Sequence, residues 1–157
     1  MSVNQTDSYL TFKLQEDLFA INVSKVLEIL EMKPITKVPK SPAFMKGVIN
    51  LRGNILPVVD TRNKFLMPEA DFTIDTCIVV LSINSENEAL LAGAIVDSVQ
   101  KVIDIPADAI QVSPSMGSLY REEFITGIGK IEDQFIMILN IDKVFSTDDL
   151  YAISDIN

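Results

Sequence analysis

The sequence predicts an all-β protein made of two small, similar barrels that share an apolar seam. Three observations carry this expectation. Apolar and polar residues alternate with period two along most of the chain, and β-branched residues crowd those runs. Pro34, Pro39 and Pro42 bar a long helix from the first half. The chain also repeats itself: residues 47–65, GVINLRGNILPVVDTRNKF, align without gaps on residues 127–145, GIGKIEDQFIMILNIDKVF. A second echo pairs SKVLEI, residues 24–29, with QKVIDI, residues 100–105. Two echoes in one order point to a duplicated β-lobe, and hairpins this short need closure to hide their edges.

The elements follow in order. Leu10, Phe12 and Leu14 alternate with Tyr9, Thr11 and Lys13, which predicts a half-buried strand. Gln15-Glu16-Asp17 turns into a second strand, LFAINV. SKVLEIL has Val26, Ile29 and Leu30 at helical spacing and Ser24 as an N-cap, so it predicts one or two helical turns that lead back to extended chain. A crossover with the three prolines follows. Residues 47–60 then predict a strand, the polar tip Arg52-Gly53-Asn54 and a second strand. Pro57 cannot donate to a ladder, so it predicts an edge strand or a bulge. Asp60 caps a short helix, TRNKF, in which Arg62 reads as surface charge. Residues 66–75 predict a loop between lobes. TCIVVLSI and ALLAGAIV form a hairpin around NSENE, and GIGKI and QFIMILN another around Glu132-Asp133. The tail, STDDLYAISDIN, places Ser146 and Asp149 in capping-box positions and predicts a short helix.

Composition narrows the chemistry. Thirteen Lys and Arg against 22 Asp and Glu leave a net charge of −9, which repels phosphate backbones and argues against nucleic acid. The absence of histidine removes the usual general base and metal ligand. One cysteine, Cys77, supports neither a disulfide nor a thiolate zinc site and fits a reducing compartment. No phosphate-cradling glycine motif occurs. The polar start, MSVNQTDSYL, lacks the features of a signal peptide, and no run of apolar residues approaches a membrane span. The expectation is a cytoplasmic binding protein: not an enzyme, with no cofactor, no metal, no nucleic-acid partner and no membrane insertion.

The residues around the polar tip carry a resemblance. Pro42, Phe44 and Gly47, then Asn50-Leu51-Arg52-Gly53, then Pro57, Val58, Asp60 and Arg62, closely resemble the motif of the CheW family of chemotaxis scaffold proteins. FAINVSKVLEI, LAGAIVDSVQKVIDI and FITGIGKIEDQFIMILNIDKVF extend it over about residues 8 to 146. The resemblance implies two intertwined five-stranded SH3-like barrels with a shared apolar seam and short helices. It makes residues 1–157 a single CheW-like domain of two lobes, about 8–65 and 75–145, with room for strand exchange between them. It also implies an adaptor that couples the cytoplasmic tips of chemoreceptors to the regulatory domain of the histidine kinase CheA. The alternative is a CheW-like scaffold of an array with a non-swimming output, such as surface motility.

Candidate partner-binding residues follow from the residues and the resemblance together. A guanidinium fork such as that of Arg52 offers planar donors to a partner's carboxylates or carbonyls. Asn50 stands beside it in the same motif. Val26, Glu28 and Ile29 match the family's receptor-facing stretch. Gly47 and Gly93 read as backbone necessities that would also let a partner helix approach closely.

Overall fold

The structure is a computed structural model. It describes residues 6–65, 67–68, 70–85, 88–111 and 124–145; the tail helix expected from residue 146 onward lies outside them. Among the described residues there are ten strands. They are β1 (Thr6–Leu14), β2 (Asp17–Asn22), β3 (Val26–Glu31), β4 (Met45–Leu51), β5 (Asn54–Asp60), β6 (Cys77–Ser85), β7 (Glu88–Val96), β8 (Ser98–Pro106), β9 (Ile125–Ile131) and β10 (Gln134–Leu139). Two one-turn helices, α1 (Thr61–Lys64) and α2 (Ile141–Val144), follow β5 and β10.

The strands form two five-stranded sheets, ordered β8-β1-β2-β10-β9 (barrel I) and β3-β6-β7-β5-β4 (barrel II). Each sheet curls shut in the same way. The chain leaving β3 bridges Thr36 to Val48 on β4, and the chain leaving β8 bridges Gln111 to Ile128 on β9. The opening hairpin of each half sits in the barrel completed by the other half: β1–β2 joins β8, β9 and β10, whereas β6–β7 joins β3, β4 and β5. One parallel pairing closes each exchange, with Leu18–Ala20 beside Ile136–Ile138 and Gly93–Ile95 beside Val58–Asp60.

Alternation assigns each strand one face to its own barrel and one to the seam. Ile49, Leu56, Val58, Ile78, Val80 and Ile95 fill barrel II. Tyr9, Ala20, Ile105, Ile136 and Ile138 fill barrel I. The largest core lies between the barrels, where Leu10, Phe12 and Leu14 of β1 meet Val79, Leu81 and Ile83 of β6. An aromatic chain runs through it: Phe12 stacks on Phe19, Phe19 on Phe65 at 5.5 Å, and Phe65 meets Phe124 edge-on at 5.6 Å. Phe65 and Phe145, the two residues that end the long repeat, are both buried in this seam.

The long repeat holds in three dimensions: β4 and β9, and α1 and α2, occupy corresponding residues, and β10 matches β5 but ends one residue sooner. The second echo is not. Seam-facing positions equate Phe12 with Leu81 and Leu10 with Val79. Against these, β8 places Val99 and Val102, and β3 places Val26 and Ile29. The counterpart of Glu28 is therefore Lys101, three residues from the Asp104 that the gapless echo selects. Both strands carry an extra residue there, a β-bulge that no apolar pattern announces.

Three further expectations are corrected. The stretch SKVLEIL is a single 3₁₀ turn, Val23–Lys25, followed by strand β3, and Asn22 rather than Ser24 caps it by accepting the Ser24 N–H at 2.9 Å. Pairing to β6 overrides the helical spacing of three apolar residues. Pro57 lies in a strand flanked by β4 and β7, but the pairing to β7 begins only at Val58, so its missing N–H disturbs no bond on that side. Arg62 is buried, not surface charge, with 3% of its area exposed.

Candidate partner-binding site

The hairpin β4–β5 turns through Arg52 and Gly53, with φ of 53° and 86°. Positive φ at both central residues suits a two-residue hairpin loop, because its twist matches the strands. The counterpart tip, Glu132-Asp133, has φ of 48° and 67°. The backbone thus demands the same strained turn twice, and the side chains differ freely. Asn50 stabilises the first tip by accepting the Gly53 N–H at 2.7 Å.

Arg52 does not hang loose. Its Nη1 and Nη2 donate to Oε2 and Oε1 of Glu28 at 2.7 and 2.8 Å, a two-pronged contact. The pair spans the line where β3 and β4 close barrel II. The bulge between Val26 and Glu28 shifts Glu28 into register with Val80, in reach of the tip. Of the pair, the Arg52 side chain is 69% exposed and Glu28 29%. The Arg52 hydrogen bonds and charge hold the Glu28 carboxyl below the usual carboxylate range, and Glu28 raises the Arg52 pKa in turn. In barrel I the corresponding residues, Glu132 and Lys101, form no ion pair.

The remaining candidates divide. Ile29 is exposed on β3 and Val26 packs against the seam. Gly47 and Gly93 are buried. At Gly47, with φ of 153°, a Cβ would strike the Thr36 carbonyl oxygen, so glycine is what lets the barrel close. Gly127 stands against Ile110 and Gln111 in the same way. At Gly93 a Cβ would lie 2.8 Å from Ile78 Cγ2, inside the barrel. The structure thus brings Glu28 to Arg52 and places Asn50 at the foot of the same tip, while the two glycines serve packing. Sequence reasoning passed over Ile55 and its counterpart Phe135, both exposed just after their tips. The signal was present: each is the outward residue of an apolar run adjoining a polar tip.

An exposed polar clamp on a small β-barrel, beside the exposed Ile29 and Ile55, suits a protein-binding module. Among the described residues, no group of three or more Cys, Asp or Glu is placed to hold a metal ion, and no helix is long and apolar enough to cross a membrane. The chain belongs to the CheW-like domain family, whose model matches residues 8–149. It is similar to the probable chemotaxis protein CheW of Rhizobium etli, 34% identical over 92% of this chain and 92% of that one. It is likewise similar to the chemotaxis protein CheW of Rhizobium meliloti, 32% identical over 91% and 90% of the two chains. Among solved structures, the scaffolding protein TtCheW from Thermoanaerobacter tengcongensis superposes with a TM-score of 0.82 at 31% identity, covering 92% of this chain and 91% of that one. The chain is a coupling adaptor of chemotaxis signalling.

Proposed function

We propose that the protein joins the cytoplasmic tips of chemoreceptors to the regulatory domain of a CheA-type histidine kinase, without chemistry of its own. It works in the cytoplasm, within receptor arrays at the inner membrane. Holding receptor and kinase in fixed geometry lets the state of one bias the state of the other. Small apolar patches supply attraction and oriented polar groups supply register. The observation that carries the reading is the Arg52–Glu28 clamp. An arginine fixed in orientation yet 69% exposed suits recognition, and the equivalent turn at Glu132-Asp133 shows that the fold does not need it there. Val26, Glu28 and Ile29 form the receptor-facing stretch, Asn50 sets the tip, and Gly47 and Gly93 keep the backbone beneath it close-packed.

The test is co-sedimentation with receptor fragments and a CheA-type kinase, comparing the native protein with Arg52→Glu. The native protein recruits both partners and raises kinase activity, whereas the variant stays folded and loses assembly. Failure of the native protein to recruit either partner would overturn the adaptor reading. Normal assembly and activation by Arg52→Glu would overturn only the role of the tip.

A further inference from the structure

Each barrel carries a bulge in the strand that precedes its closing bridge, and the two bulges are held differently. In barrel I, Leu10 pairs with Val102 and Phe12 with Val99, so Gln100 and Lys101 of β8 stand against Thr11 alone. The Thr11 hydroxyl staples them: it donates to the Lys101 carbonyl at 2.7 Å and accepts the Lys101 N–H at 3.1 Å. In barrel II, Val26 pairs with Leu81 and Ile29 with Val79, so Leu27 and Glu28 of β3 stand against Val80 alone. Val80 occupies the place of Thr11, and its hydrocarbon side chain has nothing with which to staple a bulge.

The bulge of β3 also opposes apolar burial, because it leaves Leu27 54% exposed. Sliding only the start of β3 by one residue along β6 would set Leu27 against Leu81 in the seam and turn Val26 out. Glu28, Ile29 and Leu30 would keep their present partners, and the link from β2 would gain a residue. That regular ladder would bury a leucine where the bulged one buries a valine. What stands at this end of the ladder is Asp142 of α2. Its carboxylate holds Lys25, the residue before Val26, at 3.1 Å. Its Oδ1 also accepts the N–H of Asn84, on β6 past the last rung with β3, at 3.0 Å. Ile141, Val144 and Phe145 anchor the helix in the seam, so the hold has a fixed base.

We propose that Asp142 is a positioning residue that does in barrel II what Thr11 does in barrel I. It fixes the bulge at Leu27 and so presents Leu27, beside the exposed Ile29, as a further contact for the apolar face of a receptor tip. The contact role of Leu27 rests on the function proposed above, whereas the register of β3 does not.

Cross-strand nuclear Overhauser contacts from the Leu81 methyl groups read the register in the whole chain. In the native protein they reach Val26, and in Asp142→Ala they move to Leu27. Asp142→Asn, which keeps the shape but not the charge, makes the same move more weakly and reads the register even where the alanine variant is unfolded. The double variant Asp142→Ala/Val80→Thr supplies a hydroxyl at the place of Thr11 and returns the contacts to Val26. Contacts that stay with Val26 in both Asp142 variants would overturn the proposal, as would a move that Val80→Thr does not reverse. Leu27→Ser keeps the Leu81–Val26 contact and weakens binding of receptor fragments about tenfold. Unchanged binding by that variant would overturn the contact role of Leu27. Failure of the native protein to bind the fragments would instead overturn the function proposed above.

Discussion

Arg52 and Glu28 share a bond that reports on itself through pH. The Glu28 carboxyl titrates below the ordinary range because the bound guanidinium favours its charged form. The pair therefore contributes fully above the ordinary carboxylate range and is lost as pH falls through the lowered folded value. Following the Glu28 carboxyl resonance against pH should show this depressed titration, and Arg52→Ala should return it toward the ordinary range. An unchanged titration in the variant would mean that the clamp does not persist in solution. The motif made Arg52 and Asn50 legible, and the tip itself is plain in the sequence. Arg62 was misread because short polar helices normally face water. Nothing in TRNK reveals that Asp60, Asp97 and the Phe72 ring enclose its guanidinium.

At the scale of elements, closure of each barrel depends on a glycine. Gly47 and Gly53 both have positive φ, but only Gly47 has backbone against it, since nothing lies within 4 Å of a Cβ at Gly53. Gly53→Ala should cost about 1 kcal/mol, from backbone strain alone. Gly47→Ala should cost at least about 2 kcal/mol, because the strand must part from Thr36. Urea denaturation of the two variants measures the difference, and equal losses would argue against a close approach at Gly47. The strands and their tips were readable because alternation is a local signal. The bulge in β3 was not readable, since one extra residue in a ladder leaves the composition of the strand unchanged. That single residue displaced the shorter echo from its true alignment and hid the pairing of Glu28 with Arg52.

For the whole molecule, the seam matters more than either barrel. Phe19 belongs to barrel I and Phe65 follows helix α1 of barrel II, so truncating either removes a contact that both lobes share. Phe65→Ala should destabilise the protein by about 3–5 kcal/mol and leave one cooperative unfolding transition. Two separated transitions in calorimetry would show that the barrels unfold independently. The repeat made two similar lobes legible, but it did not say which hairpin belongs to which lobe, because both halves offer the same apolar faces. The exchange also sets an order of events during synthesis. Leu18 is made before its partner strand, which contains Ile136 and follows 118 residues later. At ordinary elongation rates that interval is on the order of ten seconds. Throughout it, the first hairpin to emerge must keep its aromatic face from other chains while its own barrel does not yet exist.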